Sequence, residues 1–396
     1  MMDISRRRFL QGTGAGVAGT ALAGGLVAAG AYADDRSKGT ESVAQSFAFH
    51  GANQAGVFTP QQAAAAFAAF DVTAADRPGL TDLFRTLTDR ARFLTAGGTP
   101  PDLGVGSPPS DSAILGSDVP ADGLTVTLGV GSSLFDDRFG LAAKKPGKLK
   151  PMRTFPNDSL EPKWCHGDLM LQLCANNADT VQHALRDIAK HTRGAMQLRY
   201  RINGFHSPPR PSGTPRNLMG FKDGIANPTA ADELIWTPEG GSYQVVRLIR
   251  MLVEFWDRVS ITEQENMFGR KRDSGAPLDG AGEFDTPDYA ADPDGKTIPL
   301  DSHIRMANPR TPETNPSRLL RRGYNYDLGV DLNGDIDVGL IFSSYQQDLE
   351  RQFETVQTRL INEPLVDYIQ PYGGGYFYVL PGVRDTQDWF ARSLMA

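Results

Sequence analysis

Cysteine is nearly absent: 396 residues hold two, Cys165 and Cys174. If Asp168 to Ala175 is the strand its apolar run suggests, their separation of nine residues spans up to ~30 Å of extended chain. That is far beyond disulfide reach, so a stapled fold is excluded and burial must supply the core. Histidine is also sparse, with His50, His166, His183, His191, His206 and His303 making six. None stands in H-E-x-x-H spacing and C-x-x-C is missing, which argues against zinc or copper held by protein ligands alone. His183 and His191, two turns apart on one expected helix, read as polar surface, and the Cys165-His166 pair reads as structural. No G-x-S-x-G elbow occurs, and Gly129-Val-Gly-Ser-Ser133 lacks the lysine of a phosphate loop. Serine hydrolases and P-loop nucleotide enzymes therefore drop out. Basic excess is lacking too: a net charge of −7 offers no footing for nucleic acid.

Long apolar runs are missing except near the N-terminus, where Ser5-Arg-Arg-Arg-Phe-Leu10 precedes a weakly apolar stretch from Gly12 to Gly30. Seven glycines make this stretch a poor membrane span, although a retained anchor is the alternative reading. Ala31-Tyr-Ala33 before Asp34-Asp35 completes the pattern of a cleaved export signal over residues 1–33, and the paired arginines match the twin-arginine type. The expected location is extracytoplasmic, reached through the twin-arginine export machinery. That route carries folded proteins, commonly ones with a cofactor. Residues 1–33 hold three Arg and one Asp, so cleavage would take the charge from −7 to −9.

After a polar lead-in at 34–44, expected to be disordered, the pattern predicts a strand near Phe47–Val57 and a helix-forming alanine run after Thr59-Pro60 that passes into a strand at Ala66–Val72. A helix follows at Leu80–Leu94, then a Gly/Pro/Ser loop at Gly97–Ser117 and a strand at Leu124–Gly129. One arrangement recurs. A strand at Asp168–Ala175, a helix at Thr180–His191 and a strand at Ala195–Ile202 are echoed by a strand at Ile336–Tyr345, a helix at Leu349–Leu360 and a strand at Gly375–Leu380. An acid stands near each helix start, where a negative charge is favoured. This duplication predicts an α+β fold of two ferredoxin-like halves with antiparallel sheets, 45–210 and 211–396, split at the proline-rich Pro208–Pro215. Asp273–Ile298 reads as a long functional or mobile insertion.

Three stretches carry polar groups suited to chemistry. Asp223 sits between glycines in Gly220-Phe-Lys-Asp-Gly224, followed by Ile225-Ala-Asn-Pro228. His303 stands in Asp301-Ser-His-Ile-Arg-Met-Ala-Asn-Pro-Arg310, as a loop residue before a short strand. Arg321-Arg-Gly-Tyr324 follows shortly after. Alone, each has an ordinary structural reading. Together, with Asn53-Gln-Ala-Gly56 and Gly373-Gly-Gly-Tyr-Phe377 in the same order, they resemble the dye-decolourising peroxidases, in particular the exported branch that includes deferrochelatase/peroxidases. The likeness runs from about residue 45 to residue 390.

The resemblance implies two ferredoxin-like halves of the dimeric α/β-barrel-like superfamily, with haem b in the C-terminal half. The absence of C-x-x-C-H excludes covalent attachment. By resemblance, His303 is the iron ligand, and Asp223 and Arg321 face the other side of the haem as proton carrier and positive donor toward hydrogen peroxide. The adjacent Arg322 is the alternative to Arg321. A carboxylate base implies an acidic optimum, because carboxylates stay ionised where histidine is protonated. Gly224, Ile225 and Ala226 are expected to line the haem beyond the acid, and Asn308, Pro309 and Arg310 on the His303 side. Arg305 and Arg310 are candidates for the propionates, Leu340 and Phe342 for the pocket roof, and Asp367 for the carboxylate bonded to the ligating imidazole. Trp164, Trp236, Trp256, Trp389, Tyr324, Tyr326 and Tyr376 are candidate electron relays to bulky organic reductants.

The implied activity is a peroxidase acting on dye-like or phenolic substrates. A deferrochelatase that frees iron from haem and a haem-delivery protein are the alternatives. Homo-oligomerisation and iron-uptake partners stay open.

Overall fold

The computed structural model describes residues 45–228 and 232–396, so the expected leader at 1–33 and the whole lead-in at 34–44 lie outside the described residues. In the first half the strands are β1 (Ala64–Val72), β2 (Thr125–Gly131), β3 (Leu169–Ala175) and β4 (Met196–Phe205). In the second they are β5 (Ser242–Met251), the two-residue β6 (Leu320–Arg321), β7 (Tyr324–Val330), β8 (Ile336–Gln346) and β9 (Ile369–Val379). Within the first half the strands lie in the order β4-β1-β3-β2, and within the second β9-β5-β8-β7. With the short β6 set aside and the rest numbered within their own half, each sheet reads 4-1-3-2, and every pairing is antiparallel. This is the duplication read from the sequence. The edges do not stay open: β2 pairs with β9 and β4 with β7, closing eight strands into a barrel and removing the free edges that invite aggregation.

The strand expected at Ala66–Val72 is present and begins two residues earlier, at Ala64, and no helix precedes it. β1 is flanked by β3 and β4 and is buried on both faces, with Phe67 turned into the barrel and Phe70 toward the helices. Alanine's helix propensity is a small term per residue, and two ladders of strand hydrogen bonds with two-sided burial override it. Phe47–Val57 forms bends rather than a strand. Its function is local: Gln54 Nε2 donates to the carbonyls of Leu128 and Leu380 while Oε1 accepts from Leu128 N, stitching the β2–β9 seam.

Helix α1 (Arg77–Ala96) starts where Asp76 accepts from Gly79 N at 2.9 Å and ends at Gly97, whose φ of 73° suits glycine. It buries Leu80, Leu83, Phe84, Leu87, Ala91 and Leu94 at helical spacing against the sheet. Truncating one such leucine costs about 2–5 kcal/mol. Helix α2 (Ala178–His191) covers the sheet beside α1. His183 on α2 is buried, not surface: its Nδ1 lies 2.8 Å from Ser112 Oγ and its Nε2 3.2 Å from Asp111, because the loop after α1 folds over it. The helix expected at Leu349–Leu360 is a π-helical turn (Leu349–Glu354), a short α-helix (Thr355–Arg359) and a 3-10 turn (Leu360–Asn362).

Both cysteines are buried and free. Among the described residues no helix is long and apolar enough to cross a membrane.

Candidate functional site

The Gly220–Pro228 stretch is a turn built to present one acid. Asn217 Oδ1 accepts from Met219 N and Phe221 N, and Asp223 N donates to the Pro215 carbonyl at 2.9 Å. Gly220 and Gly224 both adopt positive φ, 89° and 86°, which any side chain would strain. At Gly220 a Cβ would also press on the Arg272 guanidinium. Asp223 Oδ1 accepts from Gly224 N at 2.6 Å and lies 3.3 Å from Arg321 Nη2.

Arg321 arrives on β6, paired to β8 through Ser344. Arg322 points the other way, fully buried, donating to the carbonyls of Thr59 and Pro60 and to Gln62 Oε1. Adjacent strand residues face opposite sides, so only Arg321 reaches the acid.

His303 is not a loop residue. It opens a short helix (His303–Ala307) behind Ser302, and its Nδ1 lies 2.6 Å from Glu363 Oε2. An ionised carboxylate can only accept, so Nδ1 carries a proton and Nε2 is the nitrogen left to bind a metal. Burial alone would lower the imidazole's pKa, but the Glu363 carboxylate outweighs it and holds the ring above the ordinary histidine value. Glu363, 4 % exposed, occupies the position expected for Asp367, which stands exposed four residues later at the end of a 3-10 turn.

Both His303 and Arg321 line one cleft, whose walls include Ala226, Ala307, Leu319, Phe342 and Phe353. The broken helix places Phe353, Val356 and Leu360 on this wall. Leu340 lines a narrower cleft beside Asp223 instead. Asn308 lines the larger cleft, whereas Gly224, Ile225, Pro309 and Arg310 are not among its walls. Arg305 donates to Asp292 and the Ile298 carbonyl and stacks 4.9 Å over Tyr289, which ties down the 273–298 insertion. Arg310 has its Nε buried without a partner. Of the aromatic candidates, Tyr376 packs 5.9 Å from Phe353, while Trp164 packs against Tyr200 and Tyr372. A larger hollow beside Tyr243 and Tyr378 carries no histidine.

Sequence models of the Dyp-type peroxidase N-terminal and C-terminal regions match residues 54–206 and 214–384. The chain belongs to the Dyp-type peroxidase family. A deferrochelatase of Escherichia coli (strain UTI89 / UPEC) is 50% identical over 413 residues, covering 99% of this chain and 97% of that one, and one from Shigella flexneri matches equally. The structure of a DyP-type peroxidase from Cellulomonas bogoriensis superposes with a TM-score of 0.79 at 34% identity, covering 89% of this chain and 98% of that chain. Ferric DtpA from Streptomyces lividans gives 0.80 at 34%, with the same coverage.

Members of this family are haem-dependent peroxidases, and haem is the cofactor. The residues present fit it: an apolar-walled cleft, an imidazole whose Nδ1 is taken up by Glu363 so that Nε2 is the nitrogen left to bind a metal, and the cationic side chains of Arg318 and Arg321 on the walls. Three contributors escaped the sequence reading. Glu363 lay outside every quoted motif, Asn227 within one but without a role, and Arg318 lines the cleft as a further cation.

Proposed function

We propose that this chain reduces hydrogen peroxide with Asp223 and Arg321 as its working pair and oxidises bulky phenolic or dye-like reductants. The observation that carries this reading is the 3.3 Å pairing of Asp223 with Arg321, the arginine sharing a cleft with His303. His303 would hold the haem through Nε2, with Glu363 fixing the ring and raising its basicity, and Arg310 and Arg318 are the cations available to propionates. When bound, haem supplies the redox centre at which peroxide is reduced. Asp223 accepts a proton from the near peroxide oxygen and returns it to the far one, so that water can leave. Arg321 holds positive charge where negative charge gathers on the departing oxygen. Absorption spectra of haem-loaded protein test this: one equivalent of peroxide should change the Soret band rapidly in the wild type and slowly in Asp223→Asn. Equal rates would overturn the assignment.

A second reading, release of iron from haem, is supported by the names of the relatives at 50% identity. Product analysis separates the two, because free protoporphyrin appears only if iron is extracted. We also propose an extracytoplasmic site of action, supported by the arginine-led leader and its Ala-Tyr-Ala site. Fractionation of cells carrying Arg6→Lys/Arg7→Lys should show retention in the cytoplasm.

A further inference from the structure

Inside the barrel a phenol without a hydrogen-bond acceptor stands beside a free thiol. Arg322 and Tyr324, two residues apart, are both buried and turn inward. Cys174 on β3 meets them from the first half, with its thiol within hydrogen-bonding reach of the Tyr324 hydroxyl and of the Arg322 guanidinium. Cys174 is wholly buried and Tyr324 is 1 % exposed. The two belong to one apolar cluster that also contains Phe67, whose ring meets that of Tyr324 edge-on at 6.0 Å.

A second observation singles out this phenol. Among the described residues, Tyr324 Oη finds no oxygen or nitrogen to bond, and Arg322 Nε likewise has no acceptor. The neighbouring Tyr345 differs: its Oη donates to Gln172 Oε1 at 2.6 Å and accepts from Gln244 Nε2 at 3.1 Å. A buried polar group left unpaired in this way calls for an explanation. Tyr324 is also connected to the chemistry, because the His206 ring stands 6.2 Å from its own and lines the narrow cleft beside Asp223. Burial outweighs the Arg322 charge and holds the Cys174 thiol above its ordinary value, so it stays protonated. Thiolate, not thiol, is the nucleophile toward peroxide, so direct oxidation of Cys174 is slow and the thiol survives until its neighbour loses an electron.

We propose that Cys174 and Tyr324 become joined by a thioether, between Sγ and the ring carbon next to the phenol oxygen, when the haem-loaded protein meets hydrogen peroxide without a reductant. The inference rests on the peroxidase reading. The thiol S–H and the ring C–H bonds break and one S–C bond forms. The two electrons and two protons released reduce one hydrogen peroxide to two waters. The product ties β3 of the first half to β7 of the second inside the barrel. Oxidising equivalents that find no reductant are thereby spent on one defined bond instead of on scattered side chains.

Peptide mass spectrometry and thiol titration of denatured protein test this, after haem-loaded wild type has been treated with a few equivalents of hydrogen peroxide and no reductant. The Cys174 thiol should be lost and the Cys165 thiol kept. The peptides carrying Cys174 and Tyr324 should appear as one species, lighter than their sum by two hydrogen atoms and stable to dithiothreitol, with fragmentation placing the bond at those two residues. Tyr324→Phe and Cys174→Ala should each abolish this species, and Tyr345→Phe should leave it. In Tyr324→Phe the loss of the Cys174 thiol should slow at least ~10-fold. If the Soret band responds to peroxide but the two peptides keep their full masses, the bond is overturned and the peroxidase reading stands. Oxygen added to Cys174 beside an unmodified Tyr324 overturns it equally. A Soret band that does not respond, with no joined species, sinks both.

Discussion

Asn227 grips the backbone of Arg321 from both sides: its Oδ1 accepts from Arg321 N at 3.1 Å, and its Nδ2 donates to the Arg321 carbonyl at 2.7 Å. The turn that presents Asp223 therefore also positions the arginine beside it, although Asn227 and Arg321 stand 94 residues apart in sequence. Arg321→Leu should slow the reaction with peroxide by about 10²–10³, the cost of removing one donor from a developing negative charge. Asn227→Ala keeps both charged groups but frees one of them, and should cost about 10-fold with the loss falling on kcat rather than KM. Stopped-flow and steady-state kinetics read both. A wild-type rate for Arg321→Leu would move the donor role elsewhere.

Glu363 and Asp367 differ in what they touch. Glu363→Gln replaces the carboxylate that accepts from His303 Nδ1 and should weaken haem retention by roughly 10–100-fold. Asp367→Asn changes an exposed side chain and should leave retention unaltered. Transfer of haem to an apo-globin acceptor measures both, and a larger effect at Asp367 would reverse the assignment.

The two adjacent arginines should fail in different ways. Arg322→Met strands the carbonyls of Thr59 and Pro60 and the amide oxygen of Gln62 in the interior, at a cost of about 3 kcal/mol. Arg321→Leu should barely move the melting temperature. Thermal denaturation of the two variants, set beside their peroxide rates, should show stability lost in one and chemistry lost in the other.

Glu283 fastens the 273–298 insertion to the Asp223 turn by accepting from Thr214 N, Thr214 Oγ1 and the Lys222 ammonium. Burial would raise its pKa, but these donors outweigh burial and hold the carboxyl below the ordinary value of 4.5. A depressed folded-state pKa stabilises above the unfolded value, and that stability is lost as pH falls through the folded one. Wild type should therefore melt higher than Glu283→Gln at neutral pH, with the gap closing below about pH 4. A gap that widens on acidification would contradict the clasp.

How much was legible follows from the range over which each signal acts. The strand, helix, strand repeat was readable because side-chain period and cap residues are local, and the two halves lie in matching strand order. The strand expected at Ala66–Val72 was legible, but the helix expected before it was not real, because the pairing that holds Ala64 and Ala65 extended comes from β3 and β4, neither of which is nearby in sequence. Glu363 was missed because nothing in Asn362-Glu-Pro364 distinguishes a buried acceptor from a surface acid. The contacts of Arg305 were illegible for the converse reason: its partners Asp292 and Tyr289 sit in an insertion that local pattern reads only as loop.

By itself the sequence determined the family, the duplicated halves and the three stretches that hold Asp223, His303 and Arg321, because turn chemistry and motif order are written along the chain. Tertiary structure alone decided that Arg321 and not Arg322 meets the acid, that Glu363 and not Asp367 meets the imidazole, and that two clefts share the Asp223–Arg321 pair. Those choices depend on which face of a strand looks inward and on which distant group arrives opposite it, and only the closure of the barrel sets them.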